Sequence, residues 1–401
     1  MKNFGTLLGY ELKKLLARKL AWAAVLVLTV FCVAATLRAG NTGGRVYHDI
    51  LDEDGDPLVI TGEQVRREAL EMAGSELNGR VMDEAFFQEM MENVPDFSSR
   101  EQQVLYFDLE DGAWSRPFSM AQGVFGTTGT VTAGSFYAEW QKNTQAYLDN
   151  YADASLSRGE KDYWGEKMAQ IERPFVYRYP WPGTTKLMDF FYVLLGLLPV
   201  AAGICLCTVF SGEYRDRMDA LLFTAKKSRR PLYFAKALAG AVVAVLAGVV
   251  IVGITAAAHL AVWGWKGFDA TLQMWQPVLP RPITVGQMLV PLLALLVLYT
   301  LVCGSVSMLV SALTRSSVAA LAVPVVLAQI MARFHQRPYG WKGYLPENLI
   351  AWDGPTNVQL VKVFGVYLDN LQFGTMLYLG IALVLLALCW LGWRRSARGG
   401  A

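Results

Sequence analysis

Six long runs without a charged residue constrain this chain more than any other feature of its sequence. They cover residues 20–37, 190–210, 237–263, 288–312, 317–332 and 374–393. At about 1.5 Å per helical residue, a run of about twenty residues crosses a hydrocarbon core roughly 30 Å thick. Nothing in that core can bond the backbone from outside, so each run must close its own hydrogen bonds as a helix. The sequence therefore predicts an α-helical integral membrane protein with six transmembrane helices.

Charge is distributed as that topology requires. Residues 39–186 hold 25 acidic and 13 basic side chains, which leaves 9 acidic and 23 basic for the rest of the chain. The segments 1–19, 211–236, 313–316 and 394–401 carry 16 basic residues against 4 acidic ones. By the positive-inside rule these face the cytosol, so both termini are expected there, in a multi-pass protein of the plasma membrane. Three parts are predicted: residues 1–38 as an amphipathic helix and the first span, 39–186 as an extracytoplasmic domain, and 187–401 as spans two to six with a cytosolic hairpin at 211–236. An acidic outer block beside basic, bilayer-flanking segments suits a lipid bilayer as partner, not nucleic acid.

Within 39–186 the patterning predicts a mostly helical domain with a small β-hairpin. Residues 46–60 alternate weakly around Asp54 and Gly55, a hairpin turn. Thr61 with Gln64, Ser98 with Glu101, and Ser157 with Glu160 have capping-box spacing, and residues 80–94 and 135–151 have helical periods. The exit, 174–183, sets Phe175, Tyr177, Tyr179 and Trp181 among prolines, which predicts an extended segment at the membrane interface. Further on, residues 358–371 read as helical.

At the N-terminus, Phe4, Leu7, Leu8, Leu12, Leu15 and Leu16 recur at helical spacing among Lys2, Lys13, Lys14, Arg18 and Lys19, with Glu11 the sole acid. This predicts an amphipathic helix on the inner leaflet leading into a retained span, in preference to a cleaved signal peptide.

Chemical motifs are few. The chain has no Gly-x-x-x-x-Gly-Lys-Ser/Thr loop, so it is not expected to bind ATP by that route or to be an enzyme. Asp52, Asp54, Asp56 and Glu63 match positions of a calcium loop, but Pro57 stands where the sharp turn needs Gly. His48, His259 and His335 are scattered, so neither metal nor cofactor is expected. Cys32, Cys205, Cys207, Cys303 and Cys389 all fall in apolar runs and read as small packing residues. The span interiors hold no Asp, Glu, Lys or Arg, which disfavours an ion-coupled carrier and favours an external energy source. Thr255, His259, Ser305, Ser307 and Gln329 read as helix–helix hydrogen-bonding groups or as the lining of a pathway.

The most particular stretch is 210–236. Glu213 ends the incoming span, a patch of Met218, Leu221, Leu222 and Phe223 follows, then Arg229 and Arg230, and Lys236 opens the next span. This Glu…Leu-Leu…Ser-Arg…Lys pattern resembles the segment between the second and third helices of type 2 ABC transporter permeases, and residues 11–19 resemble the same family's amphipathic N-terminal helix. The resemblance implies a transmembrane permease subunit of an ABC exporter, driven by a separate cytosolic ATPase subunit. It implies that Glu213, Met218, Leu221, Leu222, Phe223, Arg229, Arg230 and Lys236 couple to that ATPase. It also implies a second permease subunit, identical or related. The alternative is a membrane-anchored receptor or immunity protein whose outer domain binds a ligand without transport.

Overall fold

Five of the apolar runs fold in helices that extend past the uncharged windows at one or both ends, and the run 317–332 coincides with its helix. A computed structural model describes residues 4–41, 44–51, 55–94, 100–109, 112–125, 131–150, 156–180, 182–215, 229–334, 339–351 and 353–396. In chain order the first part comprises α1 (Phe4–Leu16), α2 (Lys19–Asn41), β1 (Gly44–Leu51), β2 (Pro57–Thr61), α3 (Gly62–Gly74), α4 (Glu84–Glu92), α5 (Arg100–Val104), α6 (Ser115–Phe125), α7 (Ala133–Asn150) and α8 (Arg158–Ala169). The second comprises α9 (Pro182–Leu206), α10 (Ser211–Arg215), α11 (Arg229–Trp263), α12 (Leu272–Trp275), α13 (Val285–Thr314), α14 (Ser317–Ala332), α15 (Pro346–Ile350), α16 (Asp353–Thr356), β3 (Leu360–Val363), β4 (Val366–Asp369) and α17 (Asn370–Ser396).

Among the described residues five helical stretches are long and apolar enough to cross a membrane: α2, α9 continued to Glu213, α11, α13 and α17. The helix predicted as a further span, α14, is apolar but has 16 residues. At about 1.5 Å per residue it falls short of a core about 30 Å thick.

Helix α13 is the centre of the bundle, packing on α9, α11, α14 and α17. The closeness is set by small side chains. A Cβ on Gly304 would come within 2.7 Å of Leu206 Cδ1 and 3.0 Å of Ala244 Cβ, so α9, α11 and α13 meet at a point that admits only hydrogen. The Ala- and Gly-rich residues 237–263 supply one side of this close packing.

His259 is a tie between helices. Its Nδ1 lies 3.0 Å from Thr255 O and 3.1 Å from Thr36 Oγ1, while Thr36 gives its own proton to Cys32 O at 2.9 Å. Nδ1 must therefore carry the hydrogen, bonding α11 to α2. Ser305 donates back to Leu301 O within α13 at 2.8 Å, and Gln329 lies on the exposed side of α14.

Residues 44–180 form a cap of helices and one hairpin. β1 and β2 pair antiparallel, with Gly55 at φ 85° in the turn, as predicted. Thr61 and Ser157 head α3 and α8 in capping boxes with Gln64 and Glu160. Ser98 lies outside the described residues. The cap is built around aromatic packing, with Phe86, Phe87, Phe136, Trp140 and Tyr177 each buried. Tyr137 fixes this centre: its hydroxyl donates to Met82 O at 2.9 Å and accepts from Phe175 N at 2.8 Å. Burial pushes that hydroxyl up to about 12.

Two expectations are corrected here. Phe175, Tyr177 and Tyr179 turn their rings into the protein instead of presenting them to lipid headgroups, and Val176 bridges Val81, while Trp181 lies outside the described residues. The Phe175 ring packs on Phe136 and Trp140 of α7, the Tyr177 ring on Phe86 of α4, and Tyr179 on Ala69 and Met72 of α3. Residues 358–371 are not a helix: β3 and β4 form an antiparallel hairpin turning at Phe364 (φ 48°) and Gly365 (φ 87°). Two consecutive positive φ values make the tight turn that matches strand twist, and Val-Lys-Val before it alternates as a strand should.

The cap is stitched to loops far away in sequence. Trp140 Nε1 donates to Pro277 O at 2.6 Å, Arg116 Nη2 to Met274 O at 3.1 Å, and Trp164 Nε1 to Val358 O at 2.8 Å. Arg281 is the keystone, with Nη1 on Asp369 Oδ2 at 3.0 Å and Nη2 on Asn357 O at 2.7 Å and Asn370 Oδ1 at 2.6 Å. Its guanidinium lies 5.1 Å from the Trp164 ring centre, so a buried cation is held on several sides.

Candidate functional site: a buried ion cluster joining the flanks of residues 216–228

The predicted coupling residues divide sharply in the structure. Met218, Leu221, Leu222 and Phe223 lie outside the described residues. Glu213, Arg229, Arg230 and Lys236 lie on its two flanks, in α10 and in the first two turns of α11.

Before that segment, α9 stops at Leu206 and the chain turns through 207–210 before α10 begins. Arg18, after α1, donates from Nη1 to Cys205 O at 2.9 Å. A cation on a terminal carbonyl complements the negative end of α9. Ser211 then ties α10 down. Its backbone N–H donates to Ser311 Oγ at 2.9 Å and its hydroxyl to Cys207 O at 2.8 Å, with Ser317 Oγ also 2.8 Å away. Ser311 donates to the same Cys207 carbonyl at 2.8 Å. Three serines thereby join the end of α9 to the turn between α13 and α14, where Arg315 takes the left-handed conformation at φ 57°.

After the segment, Arg230 is exposed at the start of α11, and Tyr233 anchors the helix. The Tyr233 hydroxyl donates to Leu386 O, and its ring lies 5.9 Å from Phe210, 5.0 Å from Trp390 and 5.9 Å from Trp393. Both flanks are thus held by helices distant in sequence, with α17 supplying the aromatic wall.

Between the flanks lies Lys236. Its ammonium is 2.6 Å from Glu213 Oε1 and 3.0 Å from Glu11 Oε1, and its side chain has 0% exposure. The cluster joins α1, α10 and α11 through one atom. Two carboxylates against one ammonium leave it a formal charge of −1. A buried group of this kind adds little net stability compared with apolar packing, yet removing its single cation strands two acids. Its contacts bring three helices to one point. Lys236 therefore offers no surface of its own to a partner, although the resemblance sets it among the coupling residues.

Sequence reasoning missed Glu11, Arg18, Ser211, Ser311 and Tyr233. Glu11 left a signal, being the one acid among five cations of the first nineteen residues. The serines left none, because a Ser in an apolar run reads as filler.

Among the described residues no group of three His, Cys, Asp or Glu is placed to hold a metal ion. Neither the curated proteins nor the solved structures include a match to this chain. The profile described as ABC-2 family transporter protein matches residues 6–336. That span runs from α1 through α14 and takes in the ion cluster, the serine node and the 216–228 segment. As 331 of the 401 residues are matched, and as the resemblance drawn from residues 11–19 and from the segment between Glu213 and Lys236 leads to the same family, the chain belongs to the ABC-2 transporter family, the transmembrane permease subunits of ABC transporters.

Proposed function

We propose that this chain is the permease subunit of an ABC exporter, and that a separate cytosolic ATPase subunit docks on residues 211–236. The observation that carries the proposal is the fixing of both flanks of this segment to different parts of the bundle. Force applied to Met218, Leu221, Leu222 and Phe223 would reach α9 and the α13–α14 turn through Ser211, α17 through Tyr233, and α1 through Lys236. A partner that pushes there moves the bundle, whereas a loop that only set topology would need no such anchoring. In this reading Arg229 and Arg230 meet the ATPase surface, and Glu213 and Lys236 hold the segment's base.

The reading takes α14 as a sixth span, its 16 residues meeting a locally thinned bilayer, both termini as cytosolic, and residues 39–186 as an extracytoplasmic domain. Support comes from the basic residues clustered in segments 1–19, 211–236, 313–316 and 394–401. A second permease subunit, identical or related, would complete the pathway.

The test is recovery of the ATPase subunit by wild-type permease and by a Leu221→Asp, Leu222→Asp double variant at matched membrane levels. Burying each leucine at a docking face contributes roughly 1.5–3 kcal/mol, and a charge in a dry contact costs more. The double variant should insert normally and lose the ATPase. Equal recovery would reduce the segment to a topology signal.

A further inference from the structure

The bundle contains an apolar cavity of about 250 Å³ between α13, α14 and α17. Its floor is the α13 face of Tyr299, Cys303 and Val306, and its walls are Leu327 and Ala328 of α14 and Ile381 of α17. Leu345 and Pro346 close the end nearer the cap.

Polar atoms are turned away from this space. The Tyr299 hydroxyl reaches Leu195 O at 3.5 Å, that of Tyr378 donates to Tyr344 O at 3.1 Å, and that of Tyr344 accepts from Gln359 Nε2 at 3.2 Å. A polar ligand would find no hydrogen bond to replace those it left in water, so the cavity selects an apolar one.

The mouth shows where that ligand comes from. Leu327 and Ile381, which line the opening, are each 38% exposed. They continue into exposed apolar faces, Val326 and Ile330 on α14 and Leu383 and Val384 on α17. In a membrane subunit these faces meet lipid tails, so the cavity is a sideways extension of the lipid phase. Pocket and lipid-facing surface share one apolar boundary, and α14, with only Ala320 and Pro324 buried, forms its outer post.

We propose that this cavity takes an acyl chain of a bilayer phospholipid, inserted between α14 and α17 as far as the α13 floor. The bound chain would replace the side-chain contacts that α14 otherwise lacks.

The experiment uses the full chain in nanodiscs of phosphatidylcholine carrying a photoactivatable diazirine midway along one acyl chain. Adducts are mapped by peptide mass spectrometry after irradiation. In the wild type they should appear on residues 299–306 as well as on the exposed faces of α14 and α17. Ala328→Trp fills the cavity and removes contact worth about two methylenes, so floor adducts should fall about tenfold while those on Ile330 and Leu383 persist. Val306→Phe, from the floor, should do the same and stands in if the first variant does not fold. Adducts on the exposed faces with none on the wild-type floor would overturn the proposal. So would floor adducts undiminished in the filled variants.

Discussion

Lys236 and Glu213 stand 2.6 Å apart, one in α11 and one in α10, on opposite flanks of the 216–228 segment. The contact closes the base of the segment, and Glu11 makes α1 part of the same closure.

Lys236→Met keeps the volume and removes the cation, leaving the buried Glu213 and the partly buried Glu11 without their partner. The expected loss is about 3–5 kcal/mol, seen as a large fall in melting temperature of the purified protein. Glu11→Gln, which leaves one carboxylate with the lysine, should cost much less. A Lys236→Met variant as stable as wild type would show that the cluster has no structural hold on the segment.

Arg229→Ala and Arg230→Ala should each weaken recovery of the ATPase subunit by less than about 1 kcal/mol, as exposed charge pairs do. Their effect should fade in high salt, whereas that of the Leu221, Leu222 double variant should not. A salt-insensitive loss on Arg230→Ala would place that side chain in a dry contact.

Arg281→Met removes the partner of Asp369 and of two acceptors at Asn357 and Asn370. Loss of a buried charged partner should cost about 3 kcal/mol or more. Arg281→Lys should recover part of it, since an ammonium reaches one acceptor where the guanidinium reaches three. Melting curves of the three proteins give the order.

Impermeant amine labelling of intact cells should modify Lys142 and Lys167 and spare Lys226 and Lys227. Lys236 will be spared on either side because its side chain has 0% exposure, so it does not report topology. Labelling of Lys226 and Lys227 in intact cells would reverse the proposed orientation.

The Lys161 ammonium, bonded to Asp149, holds that carboxyl below the usual carboxylate range. Its stabilising contribution is therefore present at neutral pH and lost as pH falls through the lowered folded-state value. Wild type and Lys161→Ala should differ in melting temperature at pH 7 and converge in acid. A gap that widens in acid would mean that the lysine acts through some other group.

How much was legible in advance follows from what each signal depends on. The long apolar runs, the capping boxes at Thr61 and Ser157 and the β1–β2 turn are local; the boxes and the turn appear as read, and five of the six runs lie in helices long enough to cross a membrane. Residues 358–371 misled because Val, Phe, Val, Tyr and Leu fit a helical stripe and a two-residue alternation equally well, and Phe364-Gly365 alone favoured the turn. The ion cluster was half visible. Glu213 and Lys236 stood out as charges beside apolar runs, but their meeting depends on how α10 and α11 come together, which no local pattern states. The burial of Phe175 and Tyr179 was hidden for a similar reason, since an aromatic segment beside a span suits lipid headgroups as well as a protein core.

The stitching of the cap has a consequence for anyone who would cut it out. A fragment of residues 42–183 keeps Trp140, Trp164 and Arg116 but leaves behind Pro277, Val358 and Met274, whose carbonyls receive their hydrogen atoms. Buried donors would face solvent without their acceptors, beside apolar ring faces laid bare. Such a fragment should associate with itself instead of remaining a soluble monomer. A chimera that transplants this cap must carry the 264–284 and 339–369 loops with it, because here the unit that can be moved intact is discontinuous in sequence.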